Sequence, residues 1–249
     1  KTLIDRLYDV VPSVKVQIAY YEMYGAPGLK AFEETLRYAV EKGLIVIADA
    51  KRNDIGSTAA CYSSAFLGET NVEGNALRAV PAEFLTVNAY LGTDGIAPFV
   101  DDCKKRDRGI FVLVKTSNPS SGELQNKLLA DGTPVYEYMG ALVEKWGEGT
   151  EGKYGYSAVG AVVGATHPEE AARLRKLLPH TFFLIPGYGA QGGNAQMLKC
   201  CFGADGLGGV VNISRGILCA YRKRGGTYYD AARAAALDMQ RDLASVLGL

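Results

Sequence analysis

Short runs of β-branched and aliphatic residues alternate with stretches of helical period along the whole chain. Val14–Ala19, Ile45–Lys51, Phe84–Ala89, Ile110–Thr116, Ala158–Gly164, Phe182–Ile185 and Gly208–Ile213 read as strands. Gly28–Lys42, Gly56–Leu67, Gly95–Lys105, Glu169–Leu178 and Gln191–Cys201 lie between them with helical spacing, and Tyr229–Leu247 reads as a last helix. Strands that are apolar on both faces and alternate with helices predict a parallel sheet covered by helices. The glycine-rich stretch Gly147–Tyr156 is short and predicts a loop. No linker, short-period repeat or low-complexity tract divides the chain, so a single domain over residues 1–249 is expected.

Seven strands fit two architectures. An open doubly wound sheet would carry its phosphate loop near the first strand. A closed barrel needs eight strands and carries phosphate loops after the last two. Here the glycine-rich turns follow the last two strand candidates, which favours the barrel. The expected class is α/β, a (β/α)8 TIM-type barrel with seven of eight strands identifiable. The opening Lys1-Thr2-Leu3-Ile4-Asp5-Arg6 is neither a signal peptide nor a usual initiation site, and reads as a start partway into a longer polypeptide.

Composition narrows the chemistry. The 249 residues are 48% hydrophobic and 22% charged, with 27 basic and 27 acidic side chains, so no global field draws the protein to nucleic acid or to an anionic membrane. No apolar run reaches the ~18 residues of a membrane span. Five cysteines, two of them adjacent and none in a C-x-x-C pattern, suggest neither a disulfide framework nor a zinc ribbon and point to a reducing cytoplasm. Only His167 and His180 could serve a histidine metal centre, so a histidine-rich metal centre is not expected.

Charges then stand out where apolar residues are the rule. In Ile45-Val46-Ile47-Ala48-Asp49-Ala50-Lys51, the strand period of two sets Asp49 and Lys51 on one face, with Ala48 and Ala50 on the other. Lys15 lies between valines on the preceding strand. Such groups are almost never buried unpaired. Lys15, Asp49, Lys51 and Asp54 are expected to satisfy one another at the C-terminal ends of strands, where barrels keep their chemistry. The plainer alternative is a structural ion pair at a strand end, with Asp54 capping the next helix.

A second cluster lies late in the chain. Pro186-Gly187-Tyr188-Gly189-Ala190-Gln191-Gly192-Gly193 follows one strand, and Ser214-Arg215-Gly216 follows the next. Glycines let backbone amides approach an anion, a helix start adds partial positive charge, and Arg215 offers a planar donor fork. A phosphate site is expected there. The segment Thr116–Glu123 is a candidate lid.

Taken together, these residues resemble a known family. Asp49-Ala50-Lys51-Arg52-Asn53-Asp54-Ile55-Gly56-Ser57-Thr58 is similar to the D-x-K-x-x-D-I-x-x-T signature of the orotidine 5′-phosphate decarboxylases, in their longer bacterial form. Pro186 to Gln191 matches that family's P-G-x-G-x-Q loop, Arg215 falls at its phosphate arginine, Thr116–Ser121 resembles the loop after its fifth strand, and Val14–Gln17 its strand-two lysine. The resemblance implies decarboxylation of orotidine 5′-monophosphate to UMP in pyrimidine synthesis, without metal or cofactor. Lys51 would protonate pyrimidine C6, Asp49 would sit beside the departing carboxylate, and Lys15 would hold Asp49 and a ribose hydroxyl. Ser117 would read the pyrimidine edge, Pro186 would line the carboxylate pocket, and Gln191 and Arg215 would grip the phosphate. Asp54, Ile55 and Thr58 would reach a neighbouring subunit's site in a homodimer. The family's first-strand ribose aspartate has no counterpart, since Asp5 and Asp9 lie in a helical-looking stretch. Two rival expectations are a magnesium-dependent sugar-phosphate lyase of the same superfamily, which needs a further carboxylate where Glu22 alone is near, and a non-catalytic phosphate-binding barrel.

Overall fold

The computed structural model describes residues 1–189 and 193–248, in two compact units, Lys1–Phe111 and Val112–Leu249. The seven strands read from the sequence are present. Unit one opens with a short helix, Thr2–Leu7, anchored by buried Ile4 and Leu7. Strand β1 (Ser13–Gln17) pairs in parallel with β2 (Ile45–Arg52), and β2 with β5 (Phe84–Val87). Between β2 and β5 comes an antiparallel hairpin, β3 (Thr70–Val72) and β4 (Asn75–Leu77). The sequence reading had no signal for it, because each strand is three exposed residues long and buries no face.

Helices pack where the apolar period places them. In Gly25–Glu41, Phe32, Leu36 and Ala39 form the buried stripe. Gly28 meets the short helix before it, Ala19–Glu22, so closely that a Cβ would lie 1.9 Å from the Tyr21 carbonyl oxygen. Helices Gly56–Phe66 and Thr93–Arg106 complete the unit. Val46, Ile47, Ala48, Asp49 and Ala50 of β2 are all buried, as a strand covered on both faces requires.

Strand β6 (Gly109–Lys115) straddles the division. In unit two, β7 (Val159–Val163) pairs in parallel with β8 (Phe183–Pro186), and β8 with β9 (Gly209–Asn212). Helices Gly122–Gln125 and Val135–Gly147, between β6 and β7, were missing from the sequence reading; in the second, Tyr136, Gly140, Val143 and Gly147 make a stripe in which two positions are glycine. The predicted helix Gln191–Cys201 is shorter, Ala195–Leu198 followed by a 3-10 turn at Lys199–Cys201. Short helices Arg215–Leu218 and Tyr221–Arg224 precede the last one, Tyr228–Leu247, whose buried residues are alanines. Among the described residues, no helix is long and apolar enough to cross a membrane.

Candidate active site

In unit one, the parallel register sets Gln17 opposite Asp49 and Lys15 opposite Ile47. A period of two then brings Lys15, Gln17 and Asp49 to one face. The Asp49 side chain is 5% exposed and both of its oxygens are filled. Lys15 Nζ and Gln17 Nε2 donate to Oδ2, the latter at 3.0 Å. Lys51 Nζ and Thr86 Oγ1 donate to Oδ1, the latter at 2.9 Å. Burial is the largest single influence on Asp49 and disfavours its charge. The charge and hydrogen bonds of Lys15, with those of Lys51, outweigh it, so the carboxyl titrates below its ordinary range.

Lys51 reaches this carboxylate by an irregular route. Ala48 pairs with Leu85 and Arg52 with Val87, so Asp49, Ala50 and Lys51 together face Thr86 alone. Lys51 takes a left-handed φ of 49°, and its backbone N–H donates to Thr86 Oγ1 at 3.0 Å. Bulges of this kind re-aim side chains, and a non-glycine residue there costs roughly 1–3 kcal/mol. The outcome is asymmetric: the Lys51 side chain is 45% exposed and that of Lys15 16%. One ammonium is packed against Asp49, while the other is held at one point and open elsewhere. Thr86 is the residue the sequence reading missed; its signal was a lone hydroxyl inside the buried Phe84–Val87 run.

Asp54 does not join the network. Its Oδ1 accepts from the Ile55 N–H at 2.8 Å, and it pairs with neither lysine. Nor does it cap the following helix, whose first turn has no side-chain cap. β2 ends at Arg52, so Asp54 lies beyond the strand that carries Asp49 and Lys51. Ile55, 55% exposed, and Thr58 lie with it on the surface. Glu22 is taken by Arg52. Asp5 lies in the first helix and pairs with Lys42 at 2.7 Å.

In unit two, the β8–β9 register sets Pro186 opposite Asn212, so the glycine turn and the Ser214-Arg215-Gly216 turn leave neighbouring strands at the same level. Gly187 and Gly189 take φ of 109° and 74°, conformations that other residues rarely adopt. Gly189 N–H donates to the Gly193 carbonyl at 2.7 Å, closing the turn. Gln191 lies outside the described residues. The helix that starts at Ala195 is capped by its own Asn194, which accepts from Met197 N–H at 3.0 Å. Arg215 opens the next short helix and is exposed, and no hydrogen bond or ion pair of its side chain is seen among the described residues.

Ser117 follows β6, half-buried against Gly164, where a Cβ would lie 2.8 Å from the Ser117 nitrogen. The expected lid is strapped down at its ends. Gln125 accepts from Thr116 N–H at 3.0 Å and donates to Thr116 Oγ1 at 2.8 Å. Lys115, 0% exposed, donates to Asn126 Oδ1 at 2.5 Å, with Glu170 at 3.9 Å and the Tyr136 ring below it. Burial pushes this lysine's pKa down and Glu170 opposes the shift. Lys115 also escaped the sequence reading, although a lysine closing Phe111-Val112-Leu113-Val114 carries the same signal as Lys15. Among the described residues, no group of three His, Cys, Asp or Glu side chains could hold a metal ion.

Comparison with known proteins adds independent findings. A model of the orotidine 5′-phosphate decarboxylase / HUMPS family matches residues 1–225. The chain is 46% identical over 222 residues to an orotidine 5′-phosphate decarboxylase of Caldicellulosiruptor bescii, covering 89% of this chain and 72% of that protein. Among solved structures it resembles a Leishmania donovani OMP decarboxylase with a TM-score of 0.78 and 31% identity, covering 99% of this chain and 85% of that one. It also resembles the UMP synthase of the same organism, with a TM-score of 0.82, 33% identity and 98% of this chain covered. It spans 48% of that longer chain. The fold class is therefore the α/β barrel read from the sequence, with seven parallel strands and alternating helices.

Proposed function

Because the chain belongs to the orotidine 5′-phosphate decarboxylase / HUMPS family, we propose that it converts orotidine 5′-monophosphate to UMP and carbon dioxide with Lys51 as the proton donor. The observation that carries this reading is the buried Asp49 carboxylate held between Lys15 and Lys51, with Lys51 alone reaching out of the cluster.

When the bond from C6 to the carboxylate breaks, its electron pair stays in an sp² orbital that no adjacent carbonyl can delocalise. Fixed charge has to stabilise it. The Lys51 ammonium, aimed by the bulge, does so and then transfers a proton to C6, regaining one from solvent. Asp49 stays ionised throughout, because Lys15, Gln17 and Thr86 hold it whatever Lys51 does. Placed beside the substrate carboxylate it repels the ground state, and it orients Lys51. Arg215 and Gln191 grip the phosphate, Ser117 reads the pyrimidine edge and Pro186 lines the carboxylate pocket. Phosphate binding energy holds the nucleotide in the site, so its loss is read mainly in KM.

The protein works as a homodimer in which Asp54, Ile55 and Thr58 reach the partner's site. The exposure of Ile55 and Thr58 and the absence of Asp54 from the local network support this. The five cysteines are free, which suits the cytoplasm. The magnesium-lyase reading is not favoured, since the carboxylate it would need, Glu22, is engaged by Arg52.

The test is a spectrophotometric assay of orotidine monophosphate loss with excess chelator, on protein of verified intact mass, with sedimentation run alongside. Sustained turnover and a dimer are expected. No turnover, or turnover abolished by the chelator, would overturn the reading.

A further inference from the structure

The glycine turn Gly187–Gly189 is tied from outside. The Tyr188 hydroxyl donates to Asp242 Oδ2, and Asp242 lies on the last helix, Tyr228–Leu247. That helix begins beyond residue 225, where the family match ends. It packs on Ala195–Leu198, into which the glycine turn leads, and on Arg215–Leu218, which Arg215 opens. A second strap joins Asp238 to Arg224 on the intervening short helix. Alanines 231, 232 and 236 are its buried residues, so little side-chain interlock holds it in register. Beside half-buried side chains such as Leu237 and Leu243, polar straps help to fix it, and one of them ends in the turn marked for phosphate.

We propose that Asp242 is a positioning residue for phosphate binding, acting through the Tyr188 hydroxyl, so that the last helix sets the affinity of the glycine turn for the phosphate of the substrate. The inference rests on the reading that this turn grips phosphate. Burial, and then the hydrogen bond to Asp242, push the Tyr188 hydroxyl up to about 12, so it keeps its proton and the strap persists over the neutral range. Without the strap, Tyr188 can swing and the turn samples other conformations before it binds, at a cost taken from affinity.

Steady-state kinetics of the full chain, with orotidine 5′-monophosphate and with the unphosphorylated nucleoside orotidine, test it in Asp242→Asn, Tyr188→Phe and the double variant. The expected result is a KM for the nucleotide raised roughly tenfold, the scale of one hydrogen bond to a charged group. The kcat for the nucleotide and the kcat/KM for orotidine should stay within about twofold, and the double variant should be no worse than either single one. An unchanged nucleotide KM in both variants would overturn the proposal. Equal losses on nucleotide and nucleoside would also overturn it, since they signal general damage. Calorimetric titration of the same variants with UMP and with uridine reads the phosphate increment without turnover. An inactive parent would therefore sink the decarboxylase reading, while the strap is still decided by whether UMP affinity alone falls.

Discussion

Asp49 and Arg215 carry opposite charges into opposite surroundings. Asp49 is buried on a central strand, with four donors on its two oxygens before any ligand arrives. Arg215 is exposed at the start of a four-residue helix, its side chain unpartnered among the described residues. Under the proposed mechanism, the difference follows from what each group is asked to do. A charge that has to act on a reacting carbon needs preset orientation, because reorganisation during the reaction would consume the stabilisation it offers. A charge that has to bind a dianion needs free donors, because every internal partner would have to be displaced first. The first kind of group couples chemistry to folding stability. The second leaves the two independent.

The largest expected effect lies at the open member of the buried cluster. Lys51→Ala should lower kcat by at least ~10⁴-fold, combining loss of the acid and of the charge that faces the carbanion. The change in absorbance on loss of orotidine monophosphate measures it, and near-parent turnover would remove Lys51 from the mechanism. Arg215→Ala should raise KM for the nucleotide by roughly 100-fold with kcat little changed, while the unfolding free energy in urea moves by less than about 0.5 kcal/mol. A large stability loss there would erase the contrast with Asp49.

Asp49→Asn should do what Arg215→Ala does not. Removing one partner of a buried pair costs about 3–5 kcal/mol. Lys51 reaches solvent and reduces the penalty, so about 2 kcal/mol in urea unfolding is expected. Unchanged stability would mean that the two lysines are solvated without Asp49.

The smallest effect is in pH. The folded-state pKa of Asp49 is depressed below its ordinary 3.8, so its contribution to stability is fully present above that value and is lost as pH falls through the lower folded-state value. Unfolding series between neutral pH and the acid limb should show a shallower fall for Asp49→Asn than for the parent. Parallel curves would mean that Asp49 is not held ionised by its neighbours.

Much of this was legible in the chain itself. A lysine between valines, and an aspartate and a lysine two apart at the end of an aliphatic run, break the rule that such positions are apolar, and the structure joins all three. The same logic applied to Thr86 and Lys115, which also interrupt buried strands and were passed over. Asp54 shows the converse. Its charge, close in sequence to Asp49 and Lys51, suggested a fourth partner in the cluster, but the strand ends at Arg52 and the chain turns away.

The sequence alone determined the alternation of strands and helices, the burial of β2 on both faces, and which residue types could do acid–base or phosphate chemistry, because periodicity and charge are local properties. Only the tertiary structure decided that Gln17 and Thr86 complete the shell of Asp49, that a bulge turns Lys51 outward, and that Asp242 ties down Tyr188. Those facts depend on strand register and helix packing between residues 32 to 54 positions apart. No local pattern encodes such pairings, since they are settled by how whole elements bury their faces against one another.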